Sequence, residues 1–82
     1  MQKIKLSKEE RERIIPFIQN YFAEERNEDL GELAAGFVLD FVLETIGPFI
    51  YNKGIQDAQT FLRLRLTEVE EGLYELIQMP PR

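Results

Sequence analysis

From Leu33 to Ile46 the chain is apolar almost all round. Leu33, Ala34, Ala35, Phe37, Val38, Leu39, Phe41, Val42, Leu43 and Ile46 leave only a thin polar line of Glu32, Gly36, Asp40 and Glu44. Steps of four residues trace one side of a helix, so the segment predicts a helix over 30–46 that is buried on nearly every side. The whole chain has 82 residues, room for one small domain and one core. Two further helices of ordinary length do not cover so broad an apolar surface. The expected remedy is a second copy that supplies the missing wall.

Upstream, Gln2-Lys3-Ile4-Lys5-Leu6 alternates polar and apolar residues, the period of a half-exposed strand over 2–6. Ser7-Lys8-Glu9-Glu10 fits a capping box, which opens a helix over 8–26. The chain's single serine thereby has a structural role, and no histidine stands by to activate it. Ile14, Ile18, Tyr21 and Phe22 share one face of this helix, with Ile15 at its border. Pro16 lacks the amide that would bond the Glu12 carbonyl and disfavours helical geometry at Ile15, so a kink is expected there. Turn formers follow from Asn27. Asp29, with Glu32 three residues on, predicts the cap of the second helix, which Gly47-Pro48 ends.

Beyond Pro48, Tyr51, Ile55, Ala58, Leu62, Leu66, Val69, Leu73 and Leu76 recur at steps of four and three, a repeat close to seven residues. The phase does not slip at Gly54. One long helix is predicted over 48–77, loosened at Asn52-Lys53-Gly54 and weakened at Gly72, with 78–82 as a tail. Thirty residues at 1.5 Å per residue span about 45 Å, longer than a domain of this size is wide. The expected fold class is therefore all-α, three helices with a long C-terminal one and a short N-terminal β-strand. The chain is read as a single domain over 1–82, assembled as an intertwined homodimer.

Composition narrows function by exclusion. Without Cys or His, the chain lacks the side chains for disulfides, Cys/His zinc sites, haem ligation by His, Cys nucleophiles and His acid–base pairs. No cofactor is expected. The acidic clusters Glu24-Glu25-Glu28-Asp29 and Glu68-Glu70-Glu71-Glu75 show neither Glu-x-x-His nor EF-hand spacing and read as solvated faces, so no metal site is expected either. No run of about 18 apolar residues and no apolar signal region is present, so the reading is cytoplasmic, without membrane contact.

The net charge of −5 repels nucleic acid as a whole, but it is unevenly shared. Residues 1–13 carry +2 and residues 27–82 carry −6. A short strand bearing Lys3 and Lys5, then a capped helix and a second helix, is the element order of ribbon-helix-helix DNA binders. In that alternative reading Lys3 and Lys5 are the candidate nucleic-acid contacts. The competing reading makes them charges that protect an edge strand.

Asp40 is the acid on the thin polar line of the second helix, a candidate for a structural ion pair with Arg26, Lys53, Arg63 or Arg65. Tyr51, Asn52 and Asp57 are hydrogen-bonding groups among apolar neighbours and form a candidate polar network or interaction site at the corner after Gly47-Pro48. A carboxylate enzyme would use Asp40 or Asp57 beside Tyr51, but it would do so without His, Cys or a Gly-rich phosphate loop.

Five blocks carry a family resemblance: Ile4-Lys5-Leu6-Ser7-Lys8-Glu9-Glu10, Tyr21-Phe22-Ala23-Glu24-Glu25-Arg26, Gly31-Glu32-Leu33-Ala34-Ala35, Ile46-Gly47-Pro48, and Ile50-Tyr51-Asn52-Lys53-Gly54-Ile55-Gln56-Asp57-Ala58. Together they resemble the bacterial family of uncharacterised proteins known as domain of unknown function 2164, over residues 4 to about 77. The last two blocks are the specific ones, and Pro16 departs from a pattern in which a helix former is usual. The resemblance implies a small stand-alone bacterial cytosolic protein and brings no activity, cofactor or catalytic residue. The expected function is a non-catalytic dimeric interaction or regulatory module, with a ribbon-helix-helix-like DNA-binding regulator as the alternative.

Overall fold

The computed structural model describes residues 4–81, which form three helices: α1 (Lys8–Arg26), α2 (Glu32–Thr45) and α3 (Gly47–Tyr74). Contacts divide the chain into two units, Met1–Ile50 and Tyr51–Arg82.

In the first unit, α1 opens on a complete capping box. The Glu10 amide donates to Ser7 Oγ at 3.1 Å, and the Ser7 amide donates to Glu10 Oε1 at 2.8 Å. These bonds favour the ionised carboxylate and hold the Glu10 carboxyl below its usual range. Pro16 lies inside the helix. At the far end Asn27 takes the left-handed conformation with φ 53°, and the amides of Asn27 and Glu28 both donate to the Phe22 carbonyl. Arg11, Ile14, Ile15, Ile18, Gln19 and Phe22 are the half-buried residues of α1. Their three- and four-residue spacing makes one face, and α1 packs on α2.

Two expectations need correction here. Residues 4–7 carry no regular structure, and no strand occurs among the described residues. A strand exists through ladder bonds to another strand, and the described residues offer no second one. Instead Ile4 and Leu6 are half-buried while Lys5 is exposed. A Cβ built on the buried Gly47 would stand 3.0 Å from Ile4 Cδ1, so this glycine makes room for the N-terminal segment at the junction of α2 and α3. Lys3 lies outside the described residues. The cap of α2 also shifts, from Asp29 to Gly31, which offers no side-chain bond. The Leu30 carbonyl accepts a hydrogen bond from Gln19 Nε2 at 3.1 Å, which keeps Leu30 in the connection and not in the first turn.

The all-round apolar helix buries only one side within a single chain. Ala35 (0% exposed) and Leu39 (4%) are the core, whereas Leu33, Phe37 and Phe41, successive turns of the same helix, remain 60–74% exposed.

In the second unit α3 runs unbroken across Asn52-Lys53-Gly54 and ends two residues after Gly72. Beyond Tyr74 the amides of Glu75, Leu76 and Ile77 donate to carbonyls three residues back, at 3.0–3.2 Å, so the last turn tightens where the helix ends. Every described residue from Tyr51 onward is exposed, including the whole apolar stripe. Among the described residues, no single helix is long and apolar enough to cross a membrane.

Candidate functional site

The first helix turns one charged residue toward the second. Arg11 precedes Ile15, Ile18 and Phe22 at steps of four, three and four, so its stem shares their face, and its guanidinium reaches over α2. Arg11 Nη1 donates to Asp40 Oδ1 at 2.8 Å, and Nη2 lies 3.5 Å from the Gly36 carbonyl. The side chains are 32% and 49% exposed, so solvent screens this pair and its worth is about 1 kcal/mol. A Cβ on Gly36 would meet Arg11 Nη2 at 3.6 Å, an ordinary contact.

Asp40 is thus ion-paired, and its partner is none of the four bases singled out from the sequence. The missed residue was Arg11. The signal that identifies it is phase: an arginine at the head of the α1 apolar stripe must bring its charge to whatever that stripe packs against, and Asp40 is the acid in the polar line of α2.

Around this pair lies an open cleft of about 490 Å³, lined by Arg11, Ile15, Glu32, Leu33, Gly36, Phe37 and Asp40. Its chemistry is mostly apolar. One carboxylate is held by a guanidinium, Glu32 is exposed, and the walls are Ile15, Leu33 and Phe37. Such walls suit an apolar side chain better than a reacting polar group.

Tyr51, Asn52 and Asp57 all lie exposed on α3 in the second unit. Asp57 Oδ1 is 3.9 Å from Lys53 Nζ, one turn back, with both side chains more than 70% exposed. Lys5 is exposed on the segment leading into α1. Among the described residues, no three acidic side chains gather closely enough to hold a metal ion.

A family model described as an uncharacterized conserved protein, DUF2164, matches residues 4–77. No curated protein and no solved structure shows a significant match to the chain.

Proposed function

The chain belongs to the DUF2164 family, and from the surface it presents we propose that it works as a homodimer, a non-catalytic cytoplasmic interaction or regulatory module. The exposed area carries the reading. Each unit exposes large apolar side chains of the kind that monomeric proteins bury, with Phe37 64% and Phe41 60% exposed on the first and Leu66 57% and Val69 61% on the second. Large apolar interfaces belong to obligate dimers, in which the fold and the assembly are one equilibrium. The residues that make up the surface are of the same kind, Phe17, Leu33, Phe37 and Phe41 on the first unit and Leu62, Leu66, Val69 and Leu73 on the second.

Size-exclusion chromatography with light scattering at micromolar concentration tests this. A mass of twice 9.7 kDa is expected, and a helical species at the single-chain mass overturns the proposal.

A second reading draws on the N-terminal segment, where half-buried Ile4 and Leu6 flank exposed Lys5. Paired between two chains, residues 2–6 would form the ribbon of a DNA-binding regulator, with Lys3 and Lys5 toward the duplex. Salt-dependent duplex binding that Lys3→Glu with Lys5→Glu abolishes would replace the interaction reading. A dimer that binds no duplex retains it.

A further inference from the structure

We infer that the second copy is held in part by α3, with the two α3 helices lying antiparallel along their apolar stripes. The inference rests on the homodimer reading and assigns it a surface and an orientation.

The stripe follows one side of α3, with exposed Phe61, Leu64 and Tyr74 lying off it. Tyr51, Ile55, Ala58, Leu62, Leu66, Val69 and Leu73 follow a mean step near the 3.6-residue turn, so they run straight along one side of α3. Lys53, Gln56, Thr60, Thr67 and Glu71 occupy the opposite side, and Arg63 and Arg65 flank the stripe, one on each border. Ile55, Leu62, Leu66, Val69 and Leu73 are 45–61% exposed. A straight stripe of this width matches one further helix, and the same stripe on a second copy is such a helix.

Charge sets the orientation. Tyr51–Leu66 holds Lys53, Arg63 and Arg65 against Asp57, a net of +2, while Thr67–Ile77 holds Glu68, Glu70, Glu71 and Glu75 with no base, a net of −4. A parallel pair lays the acidic halves together. An antiparallel pair lays each acidic half on the basic half of its partner, where like-charge repulsion is replaced by attraction.

Stripe spacing then sets the register. Centred between Arg65 and Leu66, antiparallel helices place Leu62 level with the partner's Val69 and Ala58 level with the partner's Leu73. The same register brings Arg63 and Arg65 close to the level of Glu68 and Glu70 of the partner subunit. Within the chain, Arg65 Nη1 lies 3.0 Å from Glu68 Oε2 and its guanidinium carbon 5.0 Å from the centre of the Phe61 ring. Both charged side chains are at least 60% exposed, so this pair is loosely held and open to sharing across the interface.

Because the chain has no cysteine, Leu62→Cys and Val69→Cys report orientation cleanly. The two variants are mixed, allowed to exchange chains and oxidised. The expected result is a disulfide between the Leu62→Cys and Val69→Cys chains, with neither variant cross-linking to itself. Self-cross-linking of each variant alone means a parallel pair and overturns the orientation. A dimeric mass with no cross-link of either kind overturns the use of α3 while leaving the homodimer intact, and a wild-type monomer overturns the homodimer reading itself. If the cysteine variants do not fold, Arg63→Glu with Arg65→Glu provides the second measurement. Its self-association at low salt should weaken at least tenfold relative to wild type, and an unchanged dissociation constant overturns the antiparallel arrangement.

Discussion

The two units of this chain face the same problem and meet it differently. In the first, α1 brings a stripe of Ile14, Ile15, Ile18 and Phe22 against α2, and the contact closes over Ala35 and Leu39 with the Arg11–Asp40 pair above them. In the second, α3 carries a stripe of equal quality from Tyr51 to Leu73 and leaves all of it exposed. The difference shows that amphipathicity is a request for a partner and does not itself provide one. A helix gains most of its stability from what its apolar face packs on, and an isolated one is marginal in water even at favourable length.

The largest test of this contrast is a matched pair of truncations. Leu39→Ala, in the first unit's core, should lower unfolding stability by about 2–4 kcal/mol. Leu66→Ala should cost less than ~0.5 kcal/mol if α3 works as an exposed helix, but about 2 kcal/mol, rising with protein concentration, if a second copy covers it. Urea unfolding at two concentrations separates these outcomes, and a small, concentration-independent effect at Leu66 overturns the use of α3 in the assembly.

A smaller contrast comes from the ion pairs. Asp40→Ala leaves the half-buried Arg11 without its carboxylate and should cost about 1 kcal/mol after solvent screening. Asp57→Ala removes a 3.9 Å pair between well-exposed side chains and should stay within about 0.5 kcal/mol. A loss at Asp57 matching that at Asp40 would mean that assembly covers Tyr51, Asn52 and Asp57 as well.

The smallest effect is a pH dependence confined to the first unit. The Glu10 carboxyl is held below its ordinary 4.5 mainly by the Ser7 amide, then by the Ser7 hydroxyl. A depressed folded value means that the bond stabilises the fold above about 4.5, the usual unfolded-state value, and that this share is lost as pH falls toward the lowered one. Acid titration of helicity should show this loss in the wild type and not in Glu10→Gln, and identical curves would remove the cap from the account.

Much of the local structure was legible in the sequence because it depends on neighbours in the chain. The capping box at Ser7 and Glu10 is four residues long, and one long third helix follows from a stripe that keeps its phase, although the loosening expected at Asn52-Lys53-Gly54 does not occur. Where long-range contact competes with local preference, reading from the sequence failed. Asp29 is a good cap residue, yet α2 starts after Gly31 because Gln19, from another helix, holds the Leu30 carbonyl. Ile4 and Leu6 alternate with Lys3 and Lys5 as a strand would, but ladder bonds require a second strand, and none occurs among the described residues.

The sequence by itself determined three helices and the apolar surface they carry, since periodicity and total area are properties of composition and order. Only the tertiary structure decided how that surface is divided. It showed that Arg11 is the partner of Asp40, that α2 buries the side bearing Ala35 and Leu39 and leaves Leu33, Phe37 and Phe41 outside, and that the α3 stripe is exposed along its whole length. The hydrophobic effect has magnitude but no direction. Which faces meet is settled by shape and hydrogen bonding between residues far apart in the chain.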